Sequence, residues 1–251
     1  MFDEVKRDVA TANRILAEFG LASGTGGSTG HASMRVPGAP DRFVVKGRGY
    51  PMDIVGLMRP EDMVVCDLEG FKVDGPKGIS QCYEVKMHSC IYRARPDVQS
   101  VVHVHPRWVN LMTILGKTLR QMSSGTLLRK ALPVYPHSRL VVTDEDGSAV
   151  AAILGQSRAV ILKGHGIATT GRSLEESVMA AHGLEEQAKL NAIAWSLAGK
   201  DHPVYPEELM EESANRPDYS TIPHFKDSFD PSRRGTIGTW RYFSDKVSKD
   251  L

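Results

Sequence analysis

The stretch SVVHVHPRW, residues 100–108, decides how the chain is read. It has the composition of a buried strand, and it carries His103 and His105 one residue apart. Side chains alternate along a strand, so both imidazoles face the same side and can converge on one ion. Taken alone, the pair is equally two polar residues hydrogen-bonded within a sheet or half of a metal site. Polar groups at the end of an apolar run cost desolvation unless something satisfies them, and a metal ion does this well.

The sequence on either side supplies companions. Downstream, LKGHGIATTG places His165 between Gly164 and Gly166 at the end of another apolar strand. Flanking glycines let the backbone turn sharply and bring the imidazole against a neighbouring element. As a lone histidine His165 reads as a loop residue, but beside an HxH pair on a separate strand the ligand reading is favoured. Three neutral imidazoles leave an open coordination position, which is how catalytic zinc sites are built. Upstream, Glu84 opens the helix YEVKMHSC. It is either a first-turn glutamate favoured by the helix dipole, or a proton carrier and fourth ligand. His88, four residues on, shares its face of the helix and either orients that carboxylate or is simply a partly buried histidine.

Working outward, an amphipathic helix covers the N-terminus and ends at Gly20, followed by the glycine-rich SGTGGSTGH. ASMRV, DRFVVKG and MVVCDLEG read as strands joined by glycine and acidic turns, which suggests antiparallel pairing. Tyr83–Arg95 reads as a helix, Val98–His105 as a strand, and Pro106 opens a further helix as its first residue. RAVILKGHG is another strand, and Ser173 with Glu176 forms a capping box before a long helix from Leu174 to about Ala198. This order predicts an α/β three-layer sandwich, a central mostly antiparallel sheet flanked by helices, over residues 1–200. Residues 201–251, rich in Pro, Ser, Asp and Arg, read as a tail with short helical pieces. Its aromatics Trp240, Tyr242 and Phe243 need the domain or a neighbouring subunit to cover them.

Composition excludes some function classes. Of 251 residues 41% are hydrophobic and 24% charged, and the net charge of +1 leaves no basic excess to collect nucleic-acid phosphates. No apolar run is long enough for a membrane span. The N-terminal MFDEVKRDVATANRILAEFG is unlike a signal peptide, and the three cysteines, Cys66, Cys82 and Cys90, are odd in number and not paired as CxxC. A cytoplasmic location is expected.

YEVKMH…YRARPDVQSVVHVHP, then LKGHGIATTG, then SLEESVMAAHGLEEQAK resembles the class II aldolase and adducin N-terminal domain family over roughly residues 5–198. The resemblance implies that His103, His105, His165 and Glu84 hold one divalent metal ion per subunit. Zinc is the default for three imidazoles, with manganese and iron open. It further implies that Glu84 is the acid/base, that the chain is a homotetramer with interfacial sites, and that the substrate is a small anion. Adducin-like members lack a complete metal set, so the presence of all four residues argues for an enzyme over an interaction module.

Departures from the family's sugar-phosphate members concern the substrate. Those members carry a serine pair before the glutamate, GN-x-S early on, and a Thr/Ser-Gly loop, which together cradle phosphate. Here Cys82 and Tyr83 precede Glu84, the early stretch is GHAS with His31 and Ser33, and the loop is Lys46-Gly47-Arg48. An aromatic, a histidine and two cations suit a flat acidic ligand, since arginine grips carboxylates bidentately. GHxS also resembles the family branch that decarboxylates hydroxylated aromatic or pyridine carboxylates. A metal-dependent decarboxylase is therefore the expectation, ahead of sugar-phosphate aldol cleavage, with an iron-dependent oxygenase on the same scaffold as a further alternative. Tyr135, His137 and Arg139 in PVYPHSR are additional pocket candidates.

Overall fold

The computed structural model describes residues 2–22, 29–49, 53–124, 127–217, 221–228 and 238–251. Most of the glycine-rich run, at 23–28, and the end of the KGRGYP loop, at 50–52, lie outside the described residues.

The architecture is the expected three-layer α/β sandwich. Its sheet has nine strands: β1 (His31–Val36), β2 (Ala39–Arg48), β3 (Met63–Asp67), β4 (Lys72–Asp74), β5 (Ser80–Gln81), β6 (Ser100–Val104), β7 (Val134–Tyr135), β8 (Ala159–Leu162) and β9 (Gly166–Gly171). They run in the order β4-β3-β2-β1-β6-β9-β8-β7, with β5 paired to the end of β2. Every pairing is antiparallel except β7 with β8.

Each face of the sheet has its own core. Helices α1 (Phe2–Glu18), α3 (Arg107–Ile114) and α5 (Leu174–Ala198) cover one face, where Val5, Val9 and Ile15 of α1 belong to the same core as Val102 and Val104 of β6. The apolar spacing of α1 puts these residues on one stripe, and Asp3 and Glu4 in its first turn suit the positive end of the helix dipole. Helices α2 (Val85–Ala94) and α4 (Asp144–Leu154) cover the other face, with Val85, Ile91 and Tyr92 against Val101 and Val45. The period-two alternation of β6 sends Val102 and Val104 to one core and Val101 and His103 to the other side.

Two polar contacts tie the layers where the site forms. Asn13, fully buried in α1, accepts the Ala32 amide at 3.0 Å and so fixes the start of β1 beside His31. Glu185 of α5 accepts the amides of Trp108 and Val109 at 3.0 and 3.1 Å, capping α3. That external cap is needed because Pro106 occupies the cap position itself, one residue earlier than the sequence suggests, and has no side chain to offer. Ser173 caps α5 by accepting the Glu176 amide. The Glu176 carboxylate reaches back to the Arg172 amide, not to that of Ser173.

Helix α4 and strand β9 were not anticipated, nor were the short strands β4, β5 and β7. Helix α4 begins with Thr143, whose hydroxyl accepts the Asp146 amide, but Gly147 in its interior disguises it. The glycine is there for packing: a Cβ on it would stand 2.6 Å from the Lys86 carbonyl oxygen and 2.7 Å from Cys90 Sγ. Strand β9 is bounded by glycines and fully buried, so it lacks the alternation that marks a half-exposed strand. In the C-terminal segment α6 (Glu207–Ala214) and α7 (Gly238–Val247) are helical. Helix α7 lies on α1 of the same chain, where Phe243 meets Phe19 edge-on at 4.6 Å and Arg14 donates to the Val247 carbonyl and Asp250. Trp240 and Phe243 are partly covered there, while Tyr242 is exposed.

Gly147→Ala is expected to destabilise the fold by about 1–3 kcal/mol, the usual cost of overpacking, in denaturant unfolding. Gly116, where a Cβ meets nothing within 4 Å but φ is +66°, provides the control. Its alanine variant bears only the cost of left-handed backbone, about 1 kcal/mol.

Candidate metal centre

Three segments deliver four side chains to one place. Strand β6 carries His103, and His105 lies just past its last residue, where its amide bonds to the Leu21 carbonyl. The turn between β8 and β9 brings His165, and Glu84 sits at the N-cap of α2. One ligand-type atom from each of the four lies within 4.8 Å of all the others. His103 Nε2 is the hub, 3.0 Å from His105 Nε2 and 3.1 Å from Glu84 Oε2. His165 Nε2 is 3.6 Å from the same carboxylate oxygen, a charge contact too long for a hydrogen bond.

The backbone around His165 explains why glycines flank it. Gly164 has φ +68°, which an L side chain rarely adopts. A Cβ on Gly166 would fall 2.3 Å from the Val104 carbonyl oxygen and 2.9 Å from the His105 ring, so only glycine lets β9 come this close to β6 and the site.

The donor set fits a divalent cation. His103 Nδ1 lies 2.9 Å from the Ile167 carbonyl oxygen, so Nδ1 carries the proton and Nε2 turns its lone pair to the centre. Both ring nitrogens of His165 are buried without a hydrogen-bond partner among the described residues. Orphaned buried nitrogens and converging lone pairs are costly unless a cation satisfies them. Burial alone would raise the Glu84 carboxyl, but Glu84 and His103 shift each other as an ion pair, the carboxyl well below its usual range and the imidazole above its own, and a cation bound at Nε2 would take the place of that second His103 proton. Burial depresses His105 to about 3, helped by His103 and His165. A carboxylate and a neutral imidazole are the protonation states that bind metal. Glu84 is also fixed from outside the centre, since Oε1 accepts the Val141 amide at 3.0 Å.

The other sequence candidates fall around this centre in different ways. His31 pairs across strands with His103, their ring centroids 5.4 Å apart. Ser33, on the same face, is fully buried, and its hydroxyl is engaged with His88 and Tyr92 at 2.7 and 2.8 Å. Lys46 is 1% exposed and ion-paired with Asp53, which also lies 3.4 Å from Arg48. Arg48 stacks over the exposed Tyr83 ring at 4.3 Å. Gly47 pairs with Gln81, and the Cys82 amide donates to the Lys46 carbonyl, so the β2 loop and the Cys82–Glu84 segment are joined. Cys82 itself is buried. Tyr135 and Arg139 bond to Asp146 of α4, with His137 edge-on to Tyr135, and make no recorded contact with the centre among the described residues.

Sequence reasoning missed Asp53, Tyr92 and the Val141 amide. Asp53 and Tyr92 had no motif to mark them. The third is a backbone group, for which no side-chain pattern exists.

Comparison with known proteins agrees with this geometry. Residues 7–209 match the Class II Aldolase and Adducin N-terminal domain family. A 3,4-dihydroxyphthalate decarboxylase of Rhodococcus jostii is 30% identical over 201 residues, 76% of this chain and 80% of that protein. An L-fuculose phosphate aldolase of Methanococcus vannielii is 33% identical over 147 residues, 57% of this chain and 76% of its own. Both are named as carbon–carbon lyases, the reaction class expected from the residues. Among solved structures, an aldolase II superfamily protein from Pseudomonas syringae superposes with a TM-score of 0.75 at 23% identity, covering 98% of this chain and 92% of that one, a likeness of fold. Matched by sequence over most of its length, the chain belongs to the Class II Aldolase and Adducin N-terminal domain family.

Proposed function

We propose that this chain is a divalent-metal-dependent carbon–carbon lyase that removes carbon dioxide from a hydroxylated aromatic or pyridine di-acid. The observation that carries the proposal is the convergence of Glu84, His103, His105 and His165, with a histidine, His31, on the adjoining strand. A divalent ion held there, zinc or manganese, with iron an alternative, supplies a Lewis acid that takes up the charge left when the carbon–carbon bond breaks.

The chain's own residues do the rest. Glu84 takes the proton of the ring hydroxyl and returns it to the carbon from which carbon dioxide has left, so it serves as base and then as acid. Its carboxylate is ionised at the outset, as the first of these roles requires. The Val141 amide holds one oxygen in place while the other works. Lys46 and Arg48 share one counter-ion, Asp53, so the loop keeps a single net positive charge. That suits one remote carboxylate better than a phosphate dianion. Tyr83 offers a flat face beside Arg48 for a ring. His31 meets an oxygen of the substrate. The relatedness to a 3,4-dihydroxyphthalate decarboxylase over three quarters of the chain supports a substrate of this kind.

Cleavage of a sugar phosphate is the second reading, favoured by the likeness to an L-fuculose phosphate aldolase. It uses the same four residues. We further propose residues 1–200 as the catalytic domain with 201–251 as a tail, a cytoplasmic location, and a homotetramer with interfacial sites. The exposed Leu111, Ile114, Leu115 and Leu197 on α3 and α5 offer apolar surface for such contacts.

Three outcomes are expected. Metal-loaded protein given 3,4-dihydroxyphthalate, a hydroxypyridine dicarboxylate or L-fuculose 1-phosphate in turn releases carbon dioxide from one of the first two. Aldehyde release from the sugar phosphate alone contradicts the decarboxylase. Glu84→Gln lowers kcat by about 10²–10⁴-fold, the range for a lost acid/base; retention of full kcat refutes the role given to it. Sedimentation shows a tetramer, and a monomer at micromolar concentration disproves the assembly.

A further inference from the structure

On the α2 face of the sheet, next to the metal centre, a line of buried polar groups leads from Tyr92 to His31. Tyr92 OH and Ser33 Oγ are 2.8 Å apart, Ser33 Oγ and His88 Nδ1 2.7 Å, and His88 Nε2 and His31 Nδ1 2.8 Å. Ser33 and His88 are 0% exposed, Tyr92 1% and His31 6%. Nothing in the proposed chemistry uses the first three. Their arrangement nevertheless determines what His31 shows to the pocket.

Proton positions along the line follow from counting. The Ser33 hydroxyl has one proton and three acceptors in reach: His88 Nδ1 at 2.7 Å, Tyr92 OH at 2.8 Å and the Val101 carbonyl at 3.4 Å. One of the short contacts takes it, because the carbonyl lies at the outer limit of a hydrogen bond. If Ser33 gave its proton to Tyr92, the phenol would need another acceptor, whereas its hydrogen bond with the Val101 backbone favours the phenolate and so comes from a donor. Tyr92 therefore donates to Ser33, and Ser33 to His88 Nδ1. A neutral imidazole that accepts on one nitrogen carries its proton on the other. His88 Nε2–H thus donates to His31 Nδ1, and the same rule leaves the His31 proton on Nε2.

We propose that the buried Tyr92–Ser33–His88 line holds His31 as its Nε2–H tautomer, so that His31 presents a hydrogen-bond donor to the substrate in the metal pocket. His88 and Ser33 are positioning residues that act through His31. Among the described residues the hydrogen bond made by the His31 ring is through Nδ1, to His88, and Nε2 is the nitrogen left to meet a ligand. An N–H there attracts a carboxylate or phenolate oxygen, whereas a lone pair would repel it. Burial supports a neutral His88, since it depresses that ring to about 3.

His31, His88 and Cys82 also lie close enough together to suggest a second metal centre. The hydrogen bonds argue otherwise. Both His88 nitrogens are already engaged, Nδ1 with Ser33 and Nε2 with His31.

The inference rests on the proposed function only for the kind of oxygen His31 meets; the tautomer is read with no substrate present. Protein labelled with ¹⁵N-histidine and loaded with zinc is examined by long-range ¹H–¹⁵N correlation. His31→Gln and His88→Gln serve to assign the resonances. Expected in the wild type are a protonated Nε2 and an unprotonated Nδ1 at both His31 and His88. Ser33→Ala, which deletes the donor, should mix the tautomers at both rings with zinc content unchanged, and should weaken phthalate binding about tenfold, the worth of one hydrogen bond to a charged group. A protonated Nδ1 at either ring in the wild type overturns the proposal, and needs no variant to fold. Unchanged tautomers in Ser33→Ala, or two zinc ions per chain with His88 nitrogens shifted by metal, overturn it as well. If the tautomers are as expected but phthalate does not bind the wild type, the tautomer stands and the carboxylate substrate falls.

Discussion

Within one buried place the protein sets three imidazoles against a carboxylate, and it leaves too few protons to satisfy them. His103 spends its Nδ1 proton on the Ile167 carbonyl, and its Nε2 then faces His105 and Glu84 at about hydrogen-bond distance. His165 finds no hydrogen-bond partner for either nitrogen among the described residues. Such a cluster is unfavourable by itself, since each unpaired buried polar group costs on the order of 1–3 kcal/mol. A divalent cation reverses the sign of the balance: lone pairs that repel one another become ligands, and the ionised Glu84 gains a partner. The rest of the fold holds these groups together in an arrangement that could take such an ion.

The antiparallel sheet does most of that holding. Its register sets His31 opposite His103, and His103 opposite Ala168, with His165 in the turn just before β9. The fit is close enough that Gly166 has no room for a methyl group. From the other side, α2 brings Glu84 at its N-cap and, on successive turns, His88 and Tyr92, which line up behind Ser33. One helix and one face of the sheet thus supply both the carboxylate of the cluster and the groups hydrogen-bonded behind the neighbouring histidine.

Much of this was legible in the sequence, for identifiable reasons. HxH at the end of an apolar run, a glycine-flanked histidine and a glutamate before a helix each have a local cause that leaves a local trace. The antiparallel sheet followed from short strands joined by glycine and acidic turns. Other features left no such trace. Helix α4 was hidden by Gly147, whose reason is the approach of α2, a long-range contact. Strand β9 is buried on both faces and has no polar alternation. Lys46 and Arg48 read as cations for an acidic ligand, because Asp53 is recognisable as their partner only once the loop is folded. Ser33 read as a pocket residue, yet it faces His88 and Tyr92, as only the packing of α2 on β1 reveals.

Metal content decides whether the four converging residues are what they are taken to be. The purified chain, dialysed against zinc or manganese and then against buffer, should retain one ion per chain by mass spectrometry. His103→Ala and His165→Ala, each still folded by circular dichroism, should retain less than a tenth of that. Wild-type protein that keeps no ion, or variants that keep as much as the wild type, would contradict a metal centre at Glu84, His103, His105 and His165.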